Sequence, residues 1–410
     1  MISGRRDSTI VTASRVVVIG ADTHLDTIHL AVLADTGKPL GDAEFPTRPA
    51  GYYVAIKWAQ SFGAVMVAGV EGTSSYGAGF TRVLQEADIE VVEVNRPDRA
   101  ARRRHGKSDP LDAYAAARTA LAGHGLAAPK DERATALSAL LIARRGAVKA
   151  RTAAINQIKA LLVTAPAELR ERYRRYATTL TLVRALARCR PSAHDDPTTV
   201  AVVTGCKALA QRVEYLDRQI KDLTAQLDTM VASLNPGLRA AHGLGPDTAA
   251  QLLITAGMNP HRLRSEAAFA ALCGTAPVPA SSGKTTRHRL SRGGDRSANN
   301  ALYRIALVRM SNDPRTRAYV ARQTANKRSK TEILRLLKRA IAREVFRLLT
   351  QPCAIDDYSD LRPARQAKNI TLTAAADHFG VWPNAISRLE RGLKRDDTLA
   401  NDYRTWLSAA

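Results

Sequence analysis

Four carboxylates in the first third of the chain are placed where they could do chemistry together. Asp22 ends the β-branched run Val16-Val17-Val18-Ile19-Gly20-Ala21-Asp22, and Glu71 ends a second run, Ala64-Val65-Met66-Val67-Ala68-Gly69-Val70-Glu71. Such runs suit buried strands covered on both faces. A carboxylate at the end of one is costly to bury unless it is paired or bound to metal. Asp109 and Asp112 stand three apart in Lys107-Ser108-Asp109-Pro110-Leu111-Asp112-Ala113. Ser108 or Asp109 is a good N-cap there, Pro110 suits a first turn, and the spacing puts both acids near one face of a helix start. Each acid also has a plain structural reading: a turn opener for Asp22, capping and helix-dipole compensation for the pair. In the order strand, strand, helix, the four make an oxygen-rich site for one or two Mg²⁺ ions. Such ions polarise a phosphodiester and steady its attacking and leaving oxygens.

The elements that must position these acids follow from the pattern. Residues 15–22, 27–33 and 42–47 read as three strands, with Asp35-Thr36-Gly37-Lys38 as a hairpin turn. A helix over 51–61 follows, with Tyr52, Ala55, Ile56 and Ala59 on one face. Then come the strand ending at Glu71, a helix over 77–87, a strand over 89–95 and a helix over 109–122. A meander followed by alternating α and β elements is the order of an RNase H-like α/β domain.

Charge points to the partner. The 410 residues carry 61 Lys+Arg against 38 Asp+Glu, a net charge of +23, which selects a polyanion and first of all nucleic acid. Residues 1–120 are neutral, with 14 basic and 14 acidic residues, so the excess lies beyond them. It is densest over 278–350, with 18 basic and 4 acidic residues. One basic run does precede the acid-bearing helix, and in it Arg102, Arg103, Arg104 and Lys107 offer an approach for a nucleic-acid strand. A solvated loop is the plainer account of that run.

The middle of the chain is helical. Residues 132–163 are rich in Ala, Leu, Arg and Lys, and a later helix carries Leu209, Val213, Leu216, Ile220, Leu223, Leu227, Met230 and Leu234 in alternating steps of four and three. That heptad seam needs a partner, either 132–163 folding back or the same helix of a second subunit. Next, His242-Gly243-Leu244-Gly245-Pro246 reads as a tight hairpin opening a helix. The amides at Gly243 and Gly245 suit a DNA phosphate, as in half of a helix-hairpin-helix element, or the turn is a packing corner. Residues 274–300 are a polar loop holding Ser281, Ser282 and Gly283 among Lys284, Arg287, His288, Arg289 and Arg292. By themselves these serines and cations read as phosphate contacts.

Taken in order, GADTH, GVEGT, KSDPLDA, a helical insert, a GxG hairpin and a P-x-x-S-G…G-G-D loop resemble the DEDD transposases of bacterial insertion sequences. The type is that of the pilin-gene invertase (Piv), insertion sequence family one-ten, whose members include bridge-RNA-guided recombinases. The resemblance covers about residues 15–350. It implies a RuvC-like domain whose acids, here Asp22, Glu71, Asp109 and Asp112, bind Mg²⁺, and a serine nucleophile at Ser282, with Ser281 beside it. It also implies double-stranded DNA as substrate, a structured non-coding (bridge) RNA as guide, and a homo-oligomer, dimer or tetramer. Gly294-Asp295 fills the place of the Gly-Asn or Gly-Asp that precedes the family's basic helix.

The expected organisation is α/β plus all-α. A disordered tail (1–14) precedes the RuvC-like domain (15–125), a helical coiled-coil insert (130–235) and a helical serine-containing transposase domain (236–350). A linker (351–369) then leads to a small helix-turn-helix (370–410). In that last segment Gly380 makes the turn, Pro383 starts the second helix, and Asn384, Ser387, Arg388 and Arg391 face DNA. A small packing module is the alternative. The four cysteines lack CxxC spacing and fit a reducing cytoplasm, with the protein on the nucleoid. No signal-peptide core or membrane-length apolar stretch is present. Two other functions stay open on the residues alone: a metal-only nuclease of the Holliday-junction-resolvase kind, and a DNA-binding regulator that works through 371–392.

Overall fold

Strand β1 (Val16–Thr23) is buried along nearly its whole length and forms the middle of a five-stranded sheet. In this computed structural model the described residues are 15–94, 108–123, 126–259, 262–281, 288–289, 291, 293–352, 355, 357–392 and 395–409. β1 pairs antiparallel with β2 (Thr27–Ala34), which pairs antiparallel with β3 (Pro39–Pro46). On its other side β1 runs parallel to β4 (Ala64–Glu71), and β4 runs parallel to β5 (Glu90–Val94), giving the order β3-β2-β1-β4-β5. This mixed sheet, with helices on both faces, is consistent with the RNase H-like expectation. β3 begins three residues earlier than its sequence pattern suggested. β4 is buried only from Val67 onward, because Met66 is half exposed near the start of the strand.

Strand alternation sorts the side chains between the faces. Val17, Ile19, Ala21, Ala68 and Val70 join the core under helices α1 (Pro49–Gln60) and α2 (Ala78–Glu86). Val18 and Val67 face the other way, with Ala120 of helix α3 (Asp109–Ala122). By the same alternation Gly20 and Asp22 in β1, and Gly69 and Glu71 in β4, belong to the α3 face.

By its contacts the chain divides into two compact units. The first takes the residues up to Ser138 together with Leu253–Ala268, and the second takes Ala139–Leu252 and Phe269–Ala410. By these contacts 253–268, inside the expected 236–350 domain, groups with the first unit. The physical reason is Arg262, which donates to Glu93 of β5 (2.6 Å) and to the Ala128 carbonyl, while Asn259 donates to the Pro129 carbonyl.

Helix α4 (Glu132–Thr164), in the second unit from Ala139 on, contributes Ala154 and Ile158 to a core shared with α5 (Ala167–Arg174), α6 (Thr179–Arg188) and the long α7 (Pro197–Leu234). Asp196 caps α7, its side chain accepting from the amides of Thr198 and Thr199. α4 and α7 run antiparallel: Arg144 meets Thr224 (2.7 Å) and Arg151 meets Asp217. The heptad seam is therefore covered, at least in part, within the chain. Val213, Leu216 and Leu227 are buried on it, while Ile220 and Leu223 are half-buried.

Beyond α7 lie α8 (Pro236–Ala240), α9 (Pro246–Ala256), α10 (Glu266–Leu272) and a two-residue hairpin, β6 (Val278–Pro279) with β7 (His288–Arg289). The helices α11 (Arg296–Asn312), α12 (Pro314–Ala325) and α13 (Lys330–Thr350) follow. A Ser329–Glu332 capping box starts α13, and a two-pronged Arg309–Glu344 pair (2.7 and 2.9 Å) ties it to α11.

The C-terminal module is built from α14 (Leu361–Ala367), α15 (Leu372–His378), α16 (Pro383–Glu390) and α17 (Asp397–Ala409) around their own core. Tyr358 and Leu361, within the stretch read as a linker (351–369), are part of that core. Arg365 forms a buried fork to Glu390 (2.6 and 3.1 Å), and Tyr403 donates to the same carboxylate (2.9 Å). No described helix is long and apolar enough to cross a membrane.

Candidate active site

The acids gather at the carboxyl ends of the two parallel central strands. In the β1–β4 ladder the last paired position is Ala21 with Val70, so Asp22 and Glu71 stand one step further on. Thr23 fixes this edge by donating its hydroxyl to the Glu71 carbonyl (2.9 Å).

α3 is brought down onto the strands by two glycines that sit opposite each other in the ladder. A Cβ at Gly20 would lie 2.1 Å from the Ala113 carbonyl oxygen and 2.2 Å from the Ala117 amide nitrogen, and one at Gly69 would lie 2.6 Å from the Ala116 carbonyl. Ala113, Ala116, Ala117 and Ala120 form the facing side of the helix and are buried. This contact, small residue against small residue, sets the first turn of α3, with Asp109 and Asp112, beside the strand ends. Neither glycine was picked out as a positioning residue by the sequence, although both are visible within the apolar runs.

Among the described residues, Asp22, His24 and Asp109 offer ligand atoms that all lie within 4.8 Å of one another. His24 Nε2 is 3.2 Å from Asp22 Oδ2 and 3.4 Å from Asp109 Oδ1. Glu71 and Asp112 flank this group without belonging to it. Burial pushes the Asp22 carboxyl above the usual range; His24 opposes the shift, and the charges of Glu71, Asp112 and Asp109 add to it. Asp22 is only 6 % exposed, and its Oδ2 and the Nε2 of His24 are buried without a hydrogen-bond partner. A buried, unsatisfied carboxylate oxygen among other acids fits a cation that binds there. The sequence missed His24 because a single histidine in a turn carries no spacing signal.

The cationic residues fall in several places. Arg102, Arg103, Arg104 and Lys107 lie outside the described residues, as do Ser282, Lys284, Arg287 and Arg292. β6 and β7 flank the serine loop, with Ser281 exposed just past β6 and Arg289 exposed on β7. Beside this hairpin lies a cavity of about 890 Å³ lined by His288 and Arg289 together with Arg328 of the α12–α13 turn and Arg335, Lys338 and Arg339 of α13. These last four were not singled out in the sequence, where they merge into a general basic excess. Asn299 ties two of the cavity's lining residues, Gly274 and Lys338, donating to the carbonyls of Cys273 and Gly274 (both 2.9 Å) and accepting from Lys338 Nζ (2.9 Å).

Gly294 and Asp295 have clear structural roles. Gly294 has φ +83°, and a Cβ there would strike the Leu272 carbonyl at 2.5 Å. Asp295 caps α11 by accepting from the amides of Ser297 and Ala298. At the other Gly turn, the Gly245 amide donates to Thr248 Oγ1 (3.0 Å), and Gly243 lies against Arg309 and Ile305 of α11. Asp247, in the first turn of α9, is engaged by Arg144, Arg145 and Arg304. The contacts of Gly243 and Asp247 are those a packing corner makes, while a Cβ at Gly245 would meet open space. In the C-terminal module α15 and α16 are joined by a turn with Gly380 at φ +61°, and Asn384, Arg388 and Arg391 are exposed along α16 with Ser387 half-buried between them.

A sheet ending in paired carboxylates, a helix pressed on it that adds two more, and a basic helical region fit a protein that acts on nucleic-acid phosphodiesters. Two family models match in sequence order. The DEDD transposase model of IS110, described as Transposase, matches residues 19–165, and that of the Transposase IS116/IS110/IS902 family matches residues 236–321. A Streptomyces coelicolor protein, the insertion element IS110 uncharacterized 43.6 kDa protein, is 28% identical over 385 residues, covering 81% of this chain and 94% of its own length. The chain belongs to the IS110 family of transposases, and its enzymatic class is DNA transposase/recombinase.

Proposed function

We propose that the chain moves its insertion sequence by cutting and rejoining DNA, with Asp22, Glu71, Asp109 and Asp112 holding Mg²⁺ and Ser282 as the nucleophile. The observation that carries the acid site is the buried, unsatisfied Asp22 Oδ2 at the end of β1, surrounded by three further carboxylates. These acids would hold a divalent ion, which would supply positive charge against that developing on the phosphate. The acids themselves hold and orient it, and Gly20 and Gly69 keep their helix in place.

In the proposed step Ser282 Oγ forms a bond to phosphorus while one bond from phosphorus to a sugar oxygen breaks. The serine proton passes to solvent, and the departing sugar oxygen takes up a proton. The resulting phosphoserine diester keeps the number of phosphoester bonds constant, so a sugar hydroxyl of the exchanging strand can attack it and release the serine. Lys284, Arg287, Arg289 and Arg292 hold the backbone around the serine loop, and Arg102, Arg103, Arg104 and Lys107 guide a strand toward the acids. Gly243 lies against Arg309 and Ile305, and the Gly245 amide already donates to Thr248, which makes these two the weakest of the proposed backbone contacts. Asn384, Ser387 and Arg388 read a DNA groove from α16. Resemblance to the family adds a structured RNA that pairs with donor and target DNA. It also adds a homo-oligomer, dimer or tetramer.

Trapping the covalent intermediate tests this reading. Wild type incubated with DNA carrying the element's ends is expected to yield a denaturant-resistant protein–DNA adduct whose DNA maps to Ser282. A Ser282→Ala variant with full strand exchange, and no adduct in wild type, would instead favour a metal-only nuclease chemistry.

A further inference from the structure

The turn that follows β1 contains a group that the four-acid scheme does not use. His24 lies two residues beyond Asp22, and its position is fixed from both sides. Its amide donates to the Thr27 carbonyl (2.9 Å), and its carbonyl accepts from Thr47 Oγ1 (3.3 Å). The ring is 38% exposed, yet its Nε2 is buried and turned into the acid cluster.

A protonated imidazole clamped between two carboxylates would aim its N–H at one of them. Neither contact of Nε2 is a hydrogen bond, although the oxygens stand at 3.2 and 3.4 Å. Those separations are the ones expected between neighbouring ligands of a single ion. With metal–ligand bonds of about 2.1 Å, adjacent donors lie roughly 3.0 Å apart on an octahedron and roughly 3.4 Å apart on a tetrahedron.

We infer that His24 Nε2 is a direct metal ligand alongside Asp22 and Asp109, so that the site has a mixed nitrogen and oxygen donor set and favours Mn²⁺ over Mg²⁺. Mg²⁺ is a hard ion that selects oxygen and keeps its waters, whereas Mn²⁺ is a first-row transition ion that takes carboxylates and also accepts imidazole. This inference rests on the proposed acid site and adds to it one ligand and a metal preference.

The test uses the full-length protein with Mn²⁺ as the probe and requires no DNA. Electron spin echo spectra of the wild-type Mn²⁺ complex are expected to show ¹⁴N modulation, and His24→Ala is expected to abolish it. Calorimetric titration should show His24→Ala weakening Mn²⁺ binding at least about tenfold. Mg²⁺ binding should weaken by less than about threefold, because it does not depend on the nitrogen. A wild-type complex that binds Mn²⁺ without nitrogen coupling, and with unchanged affinity in His24→Ala, would overturn the inference and leave the acid site standing. An Asp22→Asn variant that binds both metals as wild type does would instead overturn the acid site itself, and the His24 assignment with it.

Discussion

Gly20 and Gly69 stand opposite each other in the parallel β1–β4 ladder, and each faces the backbone of the helix that carries Asp109 and Asp112. The missing side chains set the distance between a sheet edge with two acids and a helix start with two more. The obstacle to a Cβ at either position is backbone, which cannot swing aside as a flexible side chain can.

Gly20→Ala is therefore expected to destabilise the protein by at least about 1–3 kcal/mol through overpacking and to weaken divalent-metal binding as α3 is pushed outward. Gly146→Ala makes the contrasting case. That glycine lies inside α4 with nothing within 4 Å of an added Cβ, so the substitution should stabilise by up to about 1 kcal/mol. Urea unfolding of both variants, with calorimetric metal titration, checks the opposite signs.

Asp22 gives the metal-free protein a pH signature. Its native carboxyl is held above the usual value by burial, so the unfolded chain loses this proton first as pH rises. The native state then binds more protons than the unfolded state, and the contribution to stability falls with rising pH from about 4 up to the native value. In chelator-treated protein Asp22→Asn should match wild type near pH 3 and exceed its stability near pH 7. Urea midpoints across that range would contradict the account if the difference ran the other way. Added divalent ion should raise the stability of wild type at neutral pH and do little for the variant.

The basic cavity beside the serine hairpin should contribute to DNA affinity through phosphate contacts. Arg335 lines it and is exposed. Arg335→Ala is expected to weaken binding to DNA of any sequence and to reduce the slope of log affinity against log salt by about one. Fluorescence anisotropy across a salt series reads both quantities.

The C-terminal module separates stability from binding. Glu390→Ala leaves Arg365 buried without its carboxylate, which should cost about 3–5 kcal/mol and expose the module to limited proteolysis. Arg388→Ala lies on the exposed side of α16 and should leave the proteolysis pattern unchanged while lowering affinity for a duplex.

Much of the first unit was legible in the sequence because β-branched runs and strand alternation determine both the strands and the face on which Asp22 and Glu71 emerge. The helix over 109–122 was read as well, although the Ala face it presses on Gly20 and Gly69 was not singled out. Other features depend on tertiary contacts that leave no periodic mark. His24 enters the site only because its turn is tied to Thr27 and Thr47. Arg262 draws 253–268 to the first unit through Glu93, a residue 169 positions away. Arg365 and Glu390 look like two surface charges until the module folds around them. The heptad seam was real as a pattern, and its partner α4 was one of the two it allowed.

Strand exchange by Asp22→Asn tests the central claim most directly. The substitution keeps the size of the side chain and removes its charge. With a reaction mixture active for wild type, DNA bearing the element's ends and Mg²⁺ or Mn²⁺, the account predicts a folded variant that still binds DNA but loses strand exchange by at least about a thousandfold, as expected when metal-ion charge stabilisation is lost. Exchange at a rate near that of wild type would contradict the assignment of the acids as the catalytic metal site.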